Sequence, residues 1–180
     1  MEYKDPSQFV FSDGCIESPI MFVGEAPGEE EAIQGKPFVG KSGQLLQQML
    51  DAAGITRDKM YITNAVVWRP PLNRTPLPAE IQEMAPYLLR HIEIIEPKIL
   101  ILIGGIAYRC AMQEAIAISK IRGIWQNRHF CPSIMNIFHP SYLLRSPSHK
   151  RETWADILLI RQKAIELGWP LGKGVLRGQK

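Results

Sequence analysis

Four glutamates fall within residues 24–31 (GEAPGEEE), directly after the apolar run Ile20-Met21-Phe22-Val23. Carboxylates so placed can hold a metal ion, act as general acid or base, or cap a helix. Glu29, Glu30 and Glu31 are consecutive and need not converge, and no D-x-D or H-x-x-E spacing supports a metal site. For two of the three the simpler role is to favour a helix N-terminus or to face water. Asn64 interrupts an apolar stretch, where a buried amide needs partners for two donors and one acceptor. Those partners are either backbone groups or a ligand. His139 precedes Pro140, which keeps it extended or in a turn; it is either structural or a donor aimed at a ligand. Phe38, between Pro37 and Val39, is either core or a ring on which something flat stacks. His91, His129 and His149 read as surface residues, with His149 near enough to Lys150 and Arg151 to meet a phosphate.

Residues 35–42 (GKPFVGKS) match the phosphate-binding pattern G-x-x-x-x-G-K-[ST] at every defined position. That motif works only directly after a buried strand, so that loop N–H groups and a helix N-terminus cradle the phosphates. Here Glu29-Glu30-Glu31-Ala32-Ile33-Gln34 precedes it, Pro37 removes one donor, and three glutamates repel a triphosphate. A P-loop nucleotide-binding protein is therefore the remote alternative.

These side chains need elements to bring them together. Residues 20–23 read as a short buried strand, and 42–53 as a helix that Gly54 ends. Residues 60–67 (MYITNAVV) are β-branched and aromatic enough for a second strand. A Pro-rich loop over 69–78 opens a helix over 79–96 with apolar residues at helical spacing. The run 99–103, bounded by Gly104-Gly105, has the continuous apolar character of a central parallel strand. A helix from 106 to 114, a strand over 133–138 and an amphipathic helix over 150–167 follow, with residues 168–180 as a loose tail. The alternation predicts an α/β fold of three layers, α/β/α, around a central, mainly parallel four-stranded sheet. Ligands of such sheets bind beyond the carboxyl ends of the strands, where Glu25, Asn64 and His139 all fall.

The length of 180 residues fits one domain, 1–180, with room for a sizeable core. No apolar run is long enough to span a bilayer and the first residues are polar, so the expected location is cytoplasmic. A net charge of +3 permits a polyanionic partner without requiring one. Three scattered cysteines form neither a disulfide framework nor a zinc motif, and no metal site is expected.

Four ordered blocks carry a resemblance: MFVGEAPGEEE at 21–31, GKPFVGKSGQLL at 35–46, YITNAVVWRPPLNRTP at 61–76 and HPSYLLR at 139–145. Together they resemble the family-four uracil-DNA glycosylases over nearly the whole chain. The resemblance implies a monofunctional DNA-repair hydrolase that flips uracil out of DNA, cuts its glycosidic bond and leaves an abasic site. Uracil-containing DNA would be its partner, free uracil its product, and the protein a monomer. It implies a uracil pocket of Gly24, Glu25, Ala26, Glu31, Phe38, Asn64 and His139, with Glu25 and His139 catalytic. Phe38 would stack on the base, Asn64 would read its edge, and Glu31 would stand near C5, where a thymine methyl intrudes. Tyr142, Leu143 or Leu144 would wedge into DNA, with Arg145, Arg69 and Arg74 as phosphate contacts. A glycosylase-fold protein that binds uracil or abasic DNA without efficient turnover is the alternative.

The chain departs from the family in one respect. The family holds a [4Fe–4S] cluster on four cysteines, and thiolates are needed to hold it. Trp68 stands at the third ligand position and the fourth falls at or near Met84. Cys15 lies after FVFSDG, beyond where the N-terminal pair belongs, and the segment before it is too short for that pair. The expectation is that the cluster is absent and that Trp68 and Met84 fill its space with apolar bulk.

Overall fold

The computed structural model describes residues 5–174. In chain order the elements are β1 (Ser12–Gly14), β2 (Ile20–Gly24), α1 (Glu29–Gln34), α2 (Lys41–Ala52), β3 (Tyr61–Asn64), α3 (Pro78–Ile95) and β4 (Ile99–Ile103). They continue with α4 (Gly105–Met112), α5 (Ile118–Ile121), β5 (Gln126–Arg128), β6 (Cys131–Ile137), α6 (Pro140–Arg145) and α7 (Lys150–Glu166). Sheet order is β1-β3-β2-β4-β6-β5. The inner four strands are parallel, as predicted, and β1 and β5 add antiparallel edges. The sheet therefore has six strands among the described residues, not four. Both additions are three-residue polar segments, Ser-Asp-Gly and Gln-Asn-Arg, with no apolar period to announce them. Short polar edge strands of this kind also discourage pairing with other chains.

Each inner strand is buried on both faces, and alternate residues divide between two cores. Met21, Val23, Leu100 and Leu102 face Ile81, Leu88, Tyr108 and Ala111 of α3 and α4. Ile20, Phe22, Ile99 and Ile101 face Leu46, Leu50, Ile157 and Ile160 of α2 and α7. Period-two alternation within apolar strands thus produces the three layers.

Several local expectations change. Glu29, Glu30 and Glu31 form the first turn of α1, where carboxylates favour the helix dipole. Gly35 ends α1 in the left-handed region, so GKPFVGKS follows a helix and not a strand, as the P-loop test required. His91 is not a surface residue: its Nε2 meets Tyr61 Oη at 2.8 Å, its ring stacks on Phe11 at 4.8 Å, and burial lowers its pKa. The tail expected to be loose is docked as far as Gly174. Trp169 Nε1 donates to Lys59 O at 3.0 Å, Gly172 N to Gly54 O at 2.8 Å, and Leu171 packs on the second core. Residues 175–180 lie outside the described residues. No described helix is long and apolar enough to cross a membrane.

Candidate active site

The carboxyl ends of β2, β3, β4 and β6 open onto one cavity of about 400 Å³, lined by Glu25, Phe38, Asn64, Arg74, His139 and Arg145. The parallel register of β2 and β3 sets Gly24 directly beside Asn64. A Cβ on Gly24 would overlap both the Phe38 ring tip and Asn64 Oδ1, so its lack of a side chain lets ring and amide close on the same space. Asn64 is 3 % exposed, and among the described residues nothing engages its amide. An amide so buried normally has protein partners, and this one faces the cavity instead.

Phe38 sits at φ 57°, a left-handed conformation that costs a non-glycine residue about 1–3 kcal/mol. Glu31 holds it there. Its Oε1 accepts from the backbone N–H of Val39 at 2.9 Å and Gly40 at 2.7 Å, and Oε2 accepts from Gly28 at 3.0 Å. Arg57 adds a bond to the Pro37 carbonyl, and Gly43 leaves room for the Phe38 backbone to lie against α2. Glu31 thus lines the cavity while Oε1 clamps the loop that carries the ring and Oε2 closes the N-terminus of α1.

Glu25 leaves β2 toward α4. The N-cap of that helix is Gly104, which has no side chain to offer, and Glu25 supplies the missing acceptor from another strand. Its Oε1 accepts from Ile106 N at 3.3 Å, and the nearby Gly105 N–H also favours the ionised carboxylate. Burial raises the pKa of this carboxyl, while the two N–H groups and the charge of Arg145 pull it back.

His139 is extended, as Pro140 dictates, and is the N-cap of α6. Ser141 N donates to its Nδ1 at 3.2 Å, and Ser141 Oγ lies 2.8 Å from the same atom. An Nδ1 that accepts from a backbone N–H carries no proton, so Nε2 is the protonated nitrogen. Burial, helped by Arg145, lowers the pKa to about 4, which keeps the ring a neutral donor at pH 7. Its ring centroid lies 6.2 Å from that of Phe38.

The predicted DNA-contact residues separate. Leu143 is 1 % exposed and belongs to the interior, which corrects its candidacy as a wedge. Tyr142 packs with Phe138 and His149, with centroids 5.0–5.2 Å apart around the trio. Leu144 is 46 % exposed. Arg145 is exposed at the cavity mouth. Arg74 is engaged by both carboxylate oxygens of Glu80, at 2.6 and 2.9 Å. Arg69 bonds Asn73 at 2.7 Å and lies 3.7 Å from Glu29. Both therefore brace the Pro-rich loop. Ala26 lines the cavity beside Glu25. Sequence reasoning missed the role of Ser141 and of the Gly104–Ile106 backbone. A helical N-terminus after His-Pro, and a Gly-Gly pair ending a buried strand, were the available signals.

The residues present do not fit a four-thiolate cluster. The thiols of Cys110 and Cys131 are buried and turned to the carbonyls of Ile81 and Pro97. No three His, Cys, Asp or Glu among the described residues are grouped to hold a metal. At the positions where thiolates are wanted, Trp68 and Met84 join Phe9, Phe11, Leu88 and His91 around an apolar cavity of about 320 Å³, so they border the space rather than fill it, which corrects that expectation.

Residues 11–158 match the family model described as Uracil DNA glycosylase superfamily. The chain is 42 % identical over 142 residues to the type-4 uracil-DNA glycosylase of Thermotoga maritima, covering 78 % of this chain and 74 % of that one. It is 38 % identical over 161 residues to the protein of that name from Sulfurisphaera tokodaii, covering 85 % and 73 %. Against the one from Archaeoglobus fulgidus it is 34 % identical over 161 residues, covering 86 % and 81 %. By sequence, this chain belongs to the uracil DNA glycosylase superfamily, in its type-4 branch.

Proposed function

We propose that this chain hydrolyses the N-glycosidic bond of a deoxyuridine flipped out of DNA, releasing free uracil and leaving an abasic site. The observation that carries this is the unengaged, buried amide of Asn64 beside the Phe38 ring. A base that fills the cavity and shuts out water without matching this amide leaves it unsatisfied, at about 1–3 kcal/mol. A flat ligand with adjacent donor and acceptor avoids that penalty. Uracil is such a ligand: Asn64 Oδ1 accepts from N3–H, Nδ2 donates to O4, and Phe38 stacks on the ring. Cytosine reverses the donor pattern and leaves groups unpaired. Glu31 stands toward C5 and resists a thymine methyl with a carboxylate that its loop bonds keep in place.

As the C1′–N1 bond breaks, its electron pair leaves with uracil and charge collects on O2. The Nε2–H of neutral His139 donates there; one such donor typically contributes about 3 kcal/mol. The sugar becomes oxocarbenium-like, and the Glu25 carboxylate balances it and orients water. Water oxygen bonds to C1′, its released proton passes to Glu25 or solvent, and the uracil anion takes up a proton in turn. Among the described residues no lysine lines the cavity, which supports hydrolysis rather than a covalent amine route. Leu144 is the wedge that fills the vacated stack, and Arg145 meets a flanking phosphate.

The same reading has the enzyme working without an iron–sulfur cluster, supported by the misfit of its donor set. Stoichiometric iron in purified protein, with visible absorption, would overturn that part. For the activity, oligonucleotides bearing one uracil are incubated with the protein and treated with alkali. Cleavage at uracil is expected, reduced at least about 100-fold by His139→Ala or Asn64→Asp. A strand left intact by the wild type would instead indicate a protein that only binds uracil or abasic DNA.

A further inference from the structure

Asn136 lies on β6, three residues before His139, and is 1 % exposed. Its Nδ2 donates to two backbone carbonyls, Leu102 at 2.9 Å and Gly104 at 3.1 Å. Two acceptors fix the sense of the amide, since its oxygen has nothing to accept there. Its Oδ1 meets no partner among the described residues. A strand residue facing the interior would ordinarily be apolar, so the donor half is what the position requires.

That donor half holds the turn on which Glu25 hangs. Gly104 stands at φ +89°, its N–H bonded to Ile137 O at 3.0 Å and its C=O to Asn136. The Ile106 N–H that follows donates to the Glu25 carboxylate, and the Gly105 N–H beside it also favours the ionised form. A Cβ at Gly104 would overlap Glu25 Oε1 and come within 3.1 Å of His139 Cβ. Both proposed catalytic groups therefore rest against one turn, and Asn136 ties that turn to the strand leading into His139.

We infer that Asn136 is a positioning residue, which sets the Glu25 carboxylate relative to His139 by pinning the Gly104 turn to β6. The kinetic consequence rests on the glycosylase reading above. The groups facing Glu25 are His139 and Arg145 on α6, Arg74 on the Pro-rich loop and Glu31 on α1, all around the same cavity. Loosening the turn weakens the hold of these backbone N–H groups on the ionised carboxylate, so Glu25 protonates at higher pH.

The test compares wild type with Asn136→Ala and with Asn136→Thr, which keeps one donor and suits a strand. Single-turnover uracil excision is followed against pH, and binding is measured with DNA carrying an uncleavable 2′-fluorinated deoxyuridine. Asn136→Ala should slow excision roughly 10–100-fold at neutral pH and move the acid limb upward, with binding unchanged within about threefold. Asn136→Thr should recover part of both effects, and Glu25→Gln should abolish the limb. An unchanged rate, or a slower rate with an unmoved limb, would overturn the inference. If wild type excises nothing, the glycosylase reading falls, and NMR titration of the Glu25 carboxyl still decides this one. A higher pKa in the variant supports it, and an equal one refutes it. Should Asn136→Ala not fold, Asn136→Thr carries the same measurements.

Discussion

His139 does two jobs with one ring, and they separate by pH. Its folded pKa of about 4 lies below the ordinary 6.5, so between those values the unfolded chain binds more protons. Stability is then full above pH 6.5 and falls as pH drops toward 4, by on the order of 3 kcal/mol. Glu25 has the opposite sign: its raised pKa contributes stability at low pH that is lost as pH rises through the folded value. In His139→Asn the amide can still cap α6 by accepting from Ser141 N, but it does not titrate. Its melting temperature should therefore fall less than that of wild type between pH 7 and 4.5, while excision drops about 100-fold. Gly24→Ala tests the other side of the cavity. The new Cβ would collide with Phe38 and Asn64, so a stability cost of about 1–3 kcal/mol and a marked loss of excision are expected, read by calorimetry and the alkali assay. Asn64 was legible in the sequence because a polar amide inside an apolar strand demands a partner. The tautomer of His139 was not, because a backbone N–H two residues on sets it.

Among the elements, the four buried strands were legible as apolar runs, and their ends gave the place of the site. The edge strands were not legible, since three polar residues pair by backbone alone. Nor was α1 as an element, although a helix N-terminus was the simpler role for two of its three glutamates. Glu31 joins the two descriptions: it belongs to α1, and its oxygens span from Gly28 to Val39 and Gly40. Removing it should release the strained Phe38 loop. Glu31→Ala is expected to cost about 1–3 kcal/mol by leaving these N–H groups unmet, and to weaken uracil binding. Glu31→Gln keeps one acceptor oxygen, so it should retain part of the stability and lose more of the discrimination against thymine. Thermal melts and paired uracil and thymine substrates read the two effects separately. Equal loss in both variants on both readouts would mean that Glu31 is a clamp alone.

At the scale of the whole molecule, the N-terminal segment reaches the sheet through an aromatic seam. Phe9 bridges to Trp68 and meets its ring at 5.0 Å, Phe11 stacks on His91, and Val10 N donates to Val67 O at 2.8 Å. The seam ends four residues from Asn64, so whatever stiffens Ala65, Val66 and Val67 also stiffens the reading amide. The family resemblance supplied the positions of Trp68 and Met84, but not their neighbours, because the antiparallel N-terminal edge brings Phe9 and Phe11 across to α3, which carries His91 as well as Met84. Trp68→Ala should enlarge the existing apolar cavity, and because the ring is only partly buried the cost should stay below the roughly 3 kcal/mol of a core ring. Excision should fall with it, since the loop that follows β3 loses its backing. Growth with or without iron, and treatment with a chelator, should leave melting temperature and activity of the wild type unmoved. A fall in either on iron removal would mean that a metal shares the work assigned here to packing. A Trp68→Ala variant with wild-type stability would mean that the backbone pairing of the edge suffices without the rings.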